Sequence, residues 1–183
     1  LKTKAPKVST RAPQSDFKVQ SQAVRPRIVA FWSPPGSVGR TTTALNVAAC
    51  AAIRVRVLLV DLDFVSPSVA LLVANQDLPS LSTVLHHHQI ASTFDETFLR
   101  EFAPHFSGSS KGFRVVAGLS RPERWPEIKP QLLQQFFQSL SPFVDLIVCD
   151  LQASSHKLFA VNAVARGILA EAHSVIALAN ANP

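Results

Sequence analysis

The sequence predicts a doubly wound α/β fold, with a mostly parallel sheet and helices on both of its faces. Short runs of β-branched and aromatic residues alternate with longer segments of helical periodicity along the chain. The strand-like runs are almost continuously apolar, as expected where helices cover both faces of a parallel sheet. Three of them lead into a glycine-containing loop or end in an aspartate, and ligands bind at the carboxyl ends of strands in such folds.

Five apolar runs predict the strands of this sheet. The first, "RIVAFW", ends at a Ser-Pro-Pro-Gly turn, and the second, "VRVLLVDLD", ends in acids. The runs "FRVVAG", "VDLIVCDLQ" and "SVIALAN" are similarly apolar. The predicted strands span residues 27–32, 55–63, 113–118, 144–152 and 174–180.

Helices are predicted between these strands. Residues 41–53 are rich in alanine and follow a glycine turn. Residues 66–74 begin with Ser66 as a helix N-cap and Pro67 at the first helical position. The stretch 75–93 has a mixed pattern and no assigned element. Further helices are predicted at 94–102, 129–140 and 158–172.

Composition indicates one globular domain preceded by a basic tail. Of the 183 residues, 47% are apolar and 16% are charged, which excludes a chain that is disordered throughout. The net charge of +6 resides within residues 1–27, and the rest of the chain is neutral. We therefore predict a flexible basic tail over 1–26 and a domain over 27–183. The tail is a solubilising linker or a contact for nucleic acid or an anionic membrane.

The ends of the chain and its cysteines set further expectations. The chain begins with Leu and contains no Met, so we expect a fragment with another domain upstream. It stops soon after the fifth predicted strand, so we expect the domain to be truncated at its C-terminus. Cys50 and Cys149 lie in apolar surroundings and are expected to be reduced core thiols. With no signal peptide and no membrane-length apolar run, this predicts a cytoplasmic protein.

The stretch "SPPGSVGRTTTALNVA" (33–48) predicts a phosphate-binding loop that runs into a helix. Such loops direct successive backbone N–H groups and a helix N-terminus at anionic oxygens, and glycine permits the close approach. Pro34 and Pro35 cannot donate a hydrogen bond. The predicted donors are Gly36, Ser37, Val38, Gly39, Arg40, Thr41 and Thr42.

The loop departs from the standard pattern G-x-x-x-x-G-K-[ST]. Aligned on Gly39, the first glycine is Pro34, the lysine is Arg40 and the hydroxyl residue is Thr41. The forked guanidinium of Arg40 is too long for the lysine's place, yet it can clamp phosphate oxygens through two donors. The alternative is a surface arginine at a strand–helix turn with no ligand.

Three aspartates follow or end predicted strands and complete this hypothesis. Asp61 and Asp63 lie two residues apart, and Asp150 ends the fourth predicted strand. Together with the Thr41 hydroxyl, Asp61 and Asp150 are candidate Mg²⁺ ligands, directly or through water, and Asp63 is the candidate that polarises an attacking water. Each aspartate could instead be a helix N-cap or turn residue.

These stretches resemble the ParA/MinD group of deviant Walker ATPases over about residues 27–183. That family's loop reads K-G-G-x-G-K-T-[ST], which "PGSVGRTT" matches in part. The segment "VLLVDLDFVSPSVALLV" is similar to the family's D-x-D segment, and "VDLIVCDL" to its Walker B strand. The stretch "GLSRPERWPEIKP" looks more like an actinobacterial septum-site or CpaE/TadZ-like branch.

The resemblance implies a protein that binds ATP with Mg²⁺, forms a nucleotide-dependent homodimer and positions a septum, chromosome, pilus or secretion apparatus with protein partners. It implies that Asn180 and Pro183 begin an adenine-contacting segment. The family's signature lysine falls at Pro35, and Arg40 replaces the loop lysine. Losing a positioned cation costs phosphoryl transfer orders of magnitude in rate. We therefore expect slow or absent hydrolysis.

Other residues support weaker hypotheses. His86–His88 are consecutive, so a polar turn or surface is favoured over a metal site. Trp125 is expected to anchor a surface loop or contact a partner. Gln152 is a candidate sensor of a γ-phosphate, and a Ser154/Ser155/His156 hydrolase is disfavoured because no third group is evident.

Three functions compete at this point. The first is an ATP-binding positioning protein with weak or no hydrolysis, found in the cytoplasm or at the membrane or nucleoid periphery. The second is a nucleotide-free scaffold that retains the fold and recruits partners. The third, a small-molecule kinase, needs a lysine and an acceptor pocket that the sequence does not show.

Overall fold

A six-stranded sheet with the order β3-β4-β2-β5-β1-β6 forms the centre of the computed structural model. The structure describes residues 25–34, 39–73, 77–106, 111–153 and 162–180. All paired strands run parallel except β3, which is antiparallel to β4. The strands are β1 Arg27–Trp32, β2 Val57–Leu62, β3 His105–Phe106, β4 Phe113–Val116, β5 Leu146–Leu151 and β6 Ser174–Ala177. This confirms the predicted doubly wound α/β class.

Six α-helices connect these strands within the described part of the chain. They are α1 Arg40–Ala51, α2 Val69–Leu72, α3 Leu81–Ile90, α4 Glu96–Phe102, α5 Pro130–Ser139 and α6 Asn162–Glu171. A 3₁₀ helix, Pro122–Glu127, contains Trp125, whose side chain packs against the core. Among the described residues, no helix is long and apolar enough to cross a membrane.

Two hydrophobic clusters, one on each face of the sheet, hold the helices in place. The α1 face holds Ala44, Ala48 and Leu59, whereas the opposite face holds Leu58 and the apolar residues of α3 to α6. Adjacent residues of β2 thus belong to different clusters, because side chains alternate across a strand. The small alanines let α1 lie close to the sheet, which brings its first turn to the ends of β2 and β5.

Several expectations need correction. The mixed stretch 75–93 contains α3, whose N-cap Ser80 accepts a hydrogen bond from Thr83 N–H. His86–His88 therefore lie on this helix rather than in a turn. His88 packs among phenylalanines, and burial lowers its pKa.

The cysteines and the last strand differ from expectation in their exposure. Both cysteines are free thiols, and Cys149 is buried as predicted. Cys50 is exposed because it lies on the outer face of α1. Strand β6 pairs only with β1 in the described sheet, and its residues are exposed. An apolar run predicts a strand, but it does not specify which neighbours cover it.

Candidate functional site

The first turn of α1 lies at the carboxyl edge of the sheet, directly after β1. Gly39 begins the helix with φ 72°, a left-handed conformation that favours glycine. No side chain caps this end, and its first turn holds no acidic residue. A helix N-terminus carries partial positive charge, so this end suits an anion. Gly36, Ser37 and Val38, predicted phosphate contacts, lie outside the described residues, as does Pro35.

Strand register places two of the predicted aspartates side by side. Asp61 of β2 pairs with Asp150 of β5, and neither is exposed to solvent. Burial and, to a smaller extent, the nearby Asp150 raise the pKa of Asp61 to about 7, although hydrogen bonds from the N–H groups of Val69 and Asp63 oppose the shift. Burial also raises the pKa of Asp150, against the opposing effects of Thr41 and Arg40. Like charges this close favour a shared counter-ion or a retained proton.

Asp61 acts as a backbone cap. Its Oδ1 accepts a hydrogen bond from Asp63 N–H at 3.0 Å. Its Oδ2 accepts from Ser68 N–H at 2.9 Å and from Val69 N–H at 3.0 Å. The carboxylate therefore caps α2 from across the loop. This corrects the predicted helix start at Ser66 and Pro67, because the N-cap is Ser68 and the cap is supplied by Asp61.

Arg40 extends into the carboxylates at the strand ends. Its Nη2 lies 2.5 Å from Asp63 Oδ2, and its Nε lies 2.8 Å from Asp150 Oδ1. A third donor, Nη1, is 3.1 Å from Ser33 Oγ. The Arg40 side chain is only 10% exposed. In this arrangement the guanidinium binds carboxylates rather than presenting both edges to a phosphate.

Asp63 is also held by backbone groups. Its Oδ1 accepts from Val65 N–H at 3.0 Å and from Ser66 N–H at 2.9 Å, while its Oδ2 accepts from Arg40. The predicted role of Asp63 in polarising water requires a carboxylate oxygen that is free of such bonds. That role remains a prediction, and it would require Arg40 to move.

The donor set is a poor match for a Mg²⁺ ion while Arg40 is in place. Mg²⁺ prefers oxygen ligands in octahedral geometry. The oxygens of Asp61 and Asp63 already accept hydrogen bonds, and among the carboxylate oxygens of these three aspartates only Asp150 Oδ2 is buried without a partner in the described part of the chain. No group of three or more His, Cys, Asp or Glu in the described chain is arranged to hold a metal. The Mg²⁺ roles of Thr41, Asp61 and Asp150 remain predictions.

Of the other predicted site residues, Thr41 lies near Asp150 and opposes the rise in the pKa of that carboxyl, whereas the rest lie elsewhere. Thr42 is exposed in the first turn of α1, and the Thr41 hydroxyl lies 3.3 Å from Ser68 Oγ. Asn180 is exposed beyond β6, and Gln152 is buried just after β5. Pro183 and residues 154–156 lie outside the described residues.

Sequence reasoning missed Gly118, which follows β4. A Cβ atom at this position would lie 2.4 Å from Pro67 Cβ and 3.0 Å from Asp61 Cγ. The missing side chain lets the loop before α2 and the Asp61 carboxylate approach the sheet. The available signal was a glycine at the end of the predicted strand 113–118, since glycine in a strand often marks close backbone approach.

A separate cavity of about 560 Å³ lies at the opposite edge of the sheet, near the starts of β2 and β5. Its basic side chains include Arg56, which pairs with Asp145, and Arg114, which pairs with Glu96. Arg114 is buried, and its Nη1 donates to Leu99 O and Ala103 O at the end of α4. Both arginines therefore already donate to carboxylate or carbonyl groups of the protein.

The doubly wound, mostly parallel sheet of this chain is also found in solved structures of ATPases. A ParA-family ATPase from Chlorobium tepidum superposes with a TM-score of 0.66 at 20% identity, over 82% of this chain and 59% of that one. The septum site-determining protein MinD from Pyrococcus horikoshii, complexed with Mg-ADP, gives 0.63 at 21% identity, over 84% and 58%. At these identities the likeness establishes the fold.

A similar fold is also found in a kinase domain. The kinase domain of the Escherichia coli tyrosine kinase ETK gives a TM-score of 0.60 at 16% identity, over 85% of this chain and 56% of that one. A maintenance of carboxysome distribution protein A from Gloeobacter kilaueensis is 58% identical over 38 residues, which is 21% of this chain and 18% of that protein. No family model matches the chain. The chain thus spans only part of each of these proteins.

Proposed function

We propose that this protein is a ParA/MinD-like positioning protein that binds ATP or ADP and hydrolyses ATP slowly or not at all. The observation that carries the proposal is the first turn of α1. It begins at a left-handed glycine, lacks a side-chain cap and lies beside the ends of β2 and β5. The N–H groups of Thr41 and Thr42 are those that would hold a phosphate there.

The position of Arg40 supports the absence of hydrolysis. Phosphoryl transfer needs a cation that stabilises the charge developing on the transferred group, and losing it costs orders of magnitude in rate. Here the guanidinium donates to Asp63, Asp150 and Ser33. The same contacts occupy Asp63, the proposed hydrolytic residue. Binding depends less on Arg40, because backbone N–H groups remain as phosphate donors.

The positioning role rests on the names of similar proteins, which include a ParA-family ATPase, MinD and a carboxysome distribution protein. The CpaE/TadZ-like branch, a nucleotide-dependent homodimer and protein partners of a positioning system belong to the same proposal. Contact with DNA or an anionic membrane through residues 1–26 does as well. With Pro35 at the signature position, any such dimer would lack the family's cross-subunit lysine.

Thermal unfolding with added ATP or ADP, paired with a phosphate-release assay, tests the proposal. We expect both nucleotides to raise Tm and phosphate release to stay at the no-protein background. Gly39→Val should abolish the nucleotide-dependent rise, because a β-branched residue is strained at a φ of 72°. Gly167→Ala is the matched control, since a Cβ at Gly167 would meet no atom within 4 Å. Turnover at a rate normal for ParA/MinD ATPases would refute the claim of slow hydrolysis.

A nucleotide-free scaffold is the second candidate, and the Arg40 contacts favour it. The guanidinium already pairs with Asp63 and Asp150, so the protein itself supplies a cation to the strand-end carboxylates without a ligand. Under this alternative, neither nucleotide changes Tm, and the wild type and Gly39→Val give the same absence of response. The same thermal unfolding experiment therefore distinguishes the two functions.

A further inference from the structure

Asp61, Asp63 and Asp150 form a carboxylate cluster at the strand ends. Almost all of its oxygens already accept hydrogen bonds from the protein. Backbone N–H groups donate to both oxygens of Asp61 and to Oδ1 of Asp63. Arg40 donates to Asp63 Oδ2 and Asp150 Oδ1. Within the described residues, the only oxygen of the cluster that is buried without a hydrogen-bond partner is Asp150 Oδ2.

The shape of the guanidinium suits this position. Its Nε, Nη1 and Nη2 each contact a different acceptor: Asp150, Ser33 and Asp63 respectively. A lysine ammonium is a single compact charge and could not span these three acceptors as a rigid planar fork can. Arginine also stays charged at every physiological pH. The positive charge at the cluster is therefore permanent and held by several bonds.

A divalent ion at the same carboxylates would compete with Arg40. It would lie beside a fixed positive charge in a buried setting, where charges are weakly screened. It would also have to displace the guanidinium from Asp63 or Asp150 to gain more than one carboxylate oxygen.

We propose that the Arg40 guanidinium is the resident cation of the carboxylate cluster and takes the place of a divalent ion. Its hydrogen bonds occupy Asp63 Oδ2 and Asp150 Oδ1, and its single charge offsets one of their two negative charges, so we expect the wild-type protein to need no Mg²⁺ at this site. Removing the guanidinium exposes the carboxylates to solution cations. These contacts support the replacement of the metal by Arg40. That nucleotide also binds without Mg²⁺ rests on the proposed function.

Thermal unfolding with MgCl₂ alone tests the proposal. The wild type should show no Mg²⁺-dependent change in Tm beyond that of an ionic-strength control. Arg40→Gln removes the charge, so it should have a lower Tm that Mg²⁺ partly restores. At a Mg²⁺ concentration about ten times its dissociation constant, the rise would be roughly 3–6 °C for a chain of this size.

Arg56→Gln is the matched control, because it also removes an arginine that pairs with an aspartate. The Arg56–Asp145 pair is about half exposed at the opposite edge of the sheet, so solvent screens Asp145 once the arginine is removed. We expect no Mg²⁺-dependent rise in this variant. The double variant Arg40→Gln/Asp150→Asn should lose the rise seen in Arg40→Gln.

Three results would overturn the proposal. They are a specific Mg²⁺-dependent rise in wild-type Tm, the absence of any rise in folded Arg40→Gln, or an equal rise in Arg56→Gln. If Arg40→Gln is unfolded with and without Mg²⁺, electron paramagnetic resonance of Mn²⁺ with the wild type decides. Free Mn²⁺ supports the proposal, and specifically bound Mn²⁺ refutes it.

ADP titrations separate this inference from the proposed function. We expect the same affinity for ADP with Mg²⁺ as with EDTA. Binding that requires Mg²⁺ would contradict the inference and leave nucleotide binding intact. If ADP binds in neither condition, the proposed function fails. Thermal unfolding with MgCl₂ still tests the role of Arg40.

Discussion

The buried carboxylate of Asp61 predicts that stability falls as pH rises from about 4 to about 7. Its pKa is raised from 3.8 to about 7, chiefly by burial and then by the neighbouring Asp150. In this pH range the native state retains a proton that the unfolded chain has released. The stabilising contribution is complete below 3.8 and is lost as pH rises through about 7.

The magnitude follows from the pKa difference. When one state holds one more proton, the free energy of unfolding changes by about 1.4 kcal/mol per pH unit. Across the interval from 3.8 to about 7, this amounts to about 4 kcal/mol. Burial also raises the pKa of Asp150, which adds a change of the same sign. The lowered pKa of His88 has the opposite sign, because its neutral form is favoured in the native state.

Urea unfolding at constant ionic strength, repeated across this pH interval, gives the measurement. Asp61→Asn cannot titrate at this position, so its free energy of unfolding should fall less steeply with pH than that of the wild type. His88 is present in both proteins, so its effect cancels in the difference between the two profiles. Parallel profiles would refute the assignment of a raised pKa to Asp61. A steeper fall in Asp61→Asn would refute its sign.

Gly118→Ala and Arg114→Met, each paired with a control variant, test the packing at the site and at the opposite edge of the sheet. Gly118→Ala should lower the free energy of unfolding by about 1–3 kcal/mol in urea titrations, because its Cβ would clash with Pro67, whereas Gly167→Ala should stabilise by about 0.5–1 kcal/mol. Equal effects of the two would contradict the close approach at Gly118. Arg114→Met removes two buried hydrogen bonds to carbonyls at the end of α4, together with the ion pair to Glu96, and should cost about 1–3 kcal/mol in the same assay. Arg124→Met breaks only an exposed ion pair and should change stability by less than about 0.5 kcal/mol, so a similar loss in both variants would argue against the capping role of Arg114.

The positions of β1, β2 and β5 could be predicted from the sequence, because a buried parallel strand is a continuous run of apolar residues. The bounds of β1 match the predicted segment, and β2 and β5 lie within theirs. Strand β3 was not predicted, since two residues have no periodicity and exist as a strand only through pairing with β4. Helix α3 was missed although Ser80 and the spacing of Leu81, Val84 and Leu85 signalled it.

What the sequence alone determined about the site is its location. A glycine turn and three aspartates at strand ends could be read without coordinates, because their chain neighbours define a strand end. The partners of these residues were decided by the tertiary structure. Arg40 and Asp150 are 110 residues apart, and Asp61 caps a helix seven residues further along. Whether an aspartate binds a metal, caps a helix or pairs with arginine depends on which group the sheet register and helix packing bring to it.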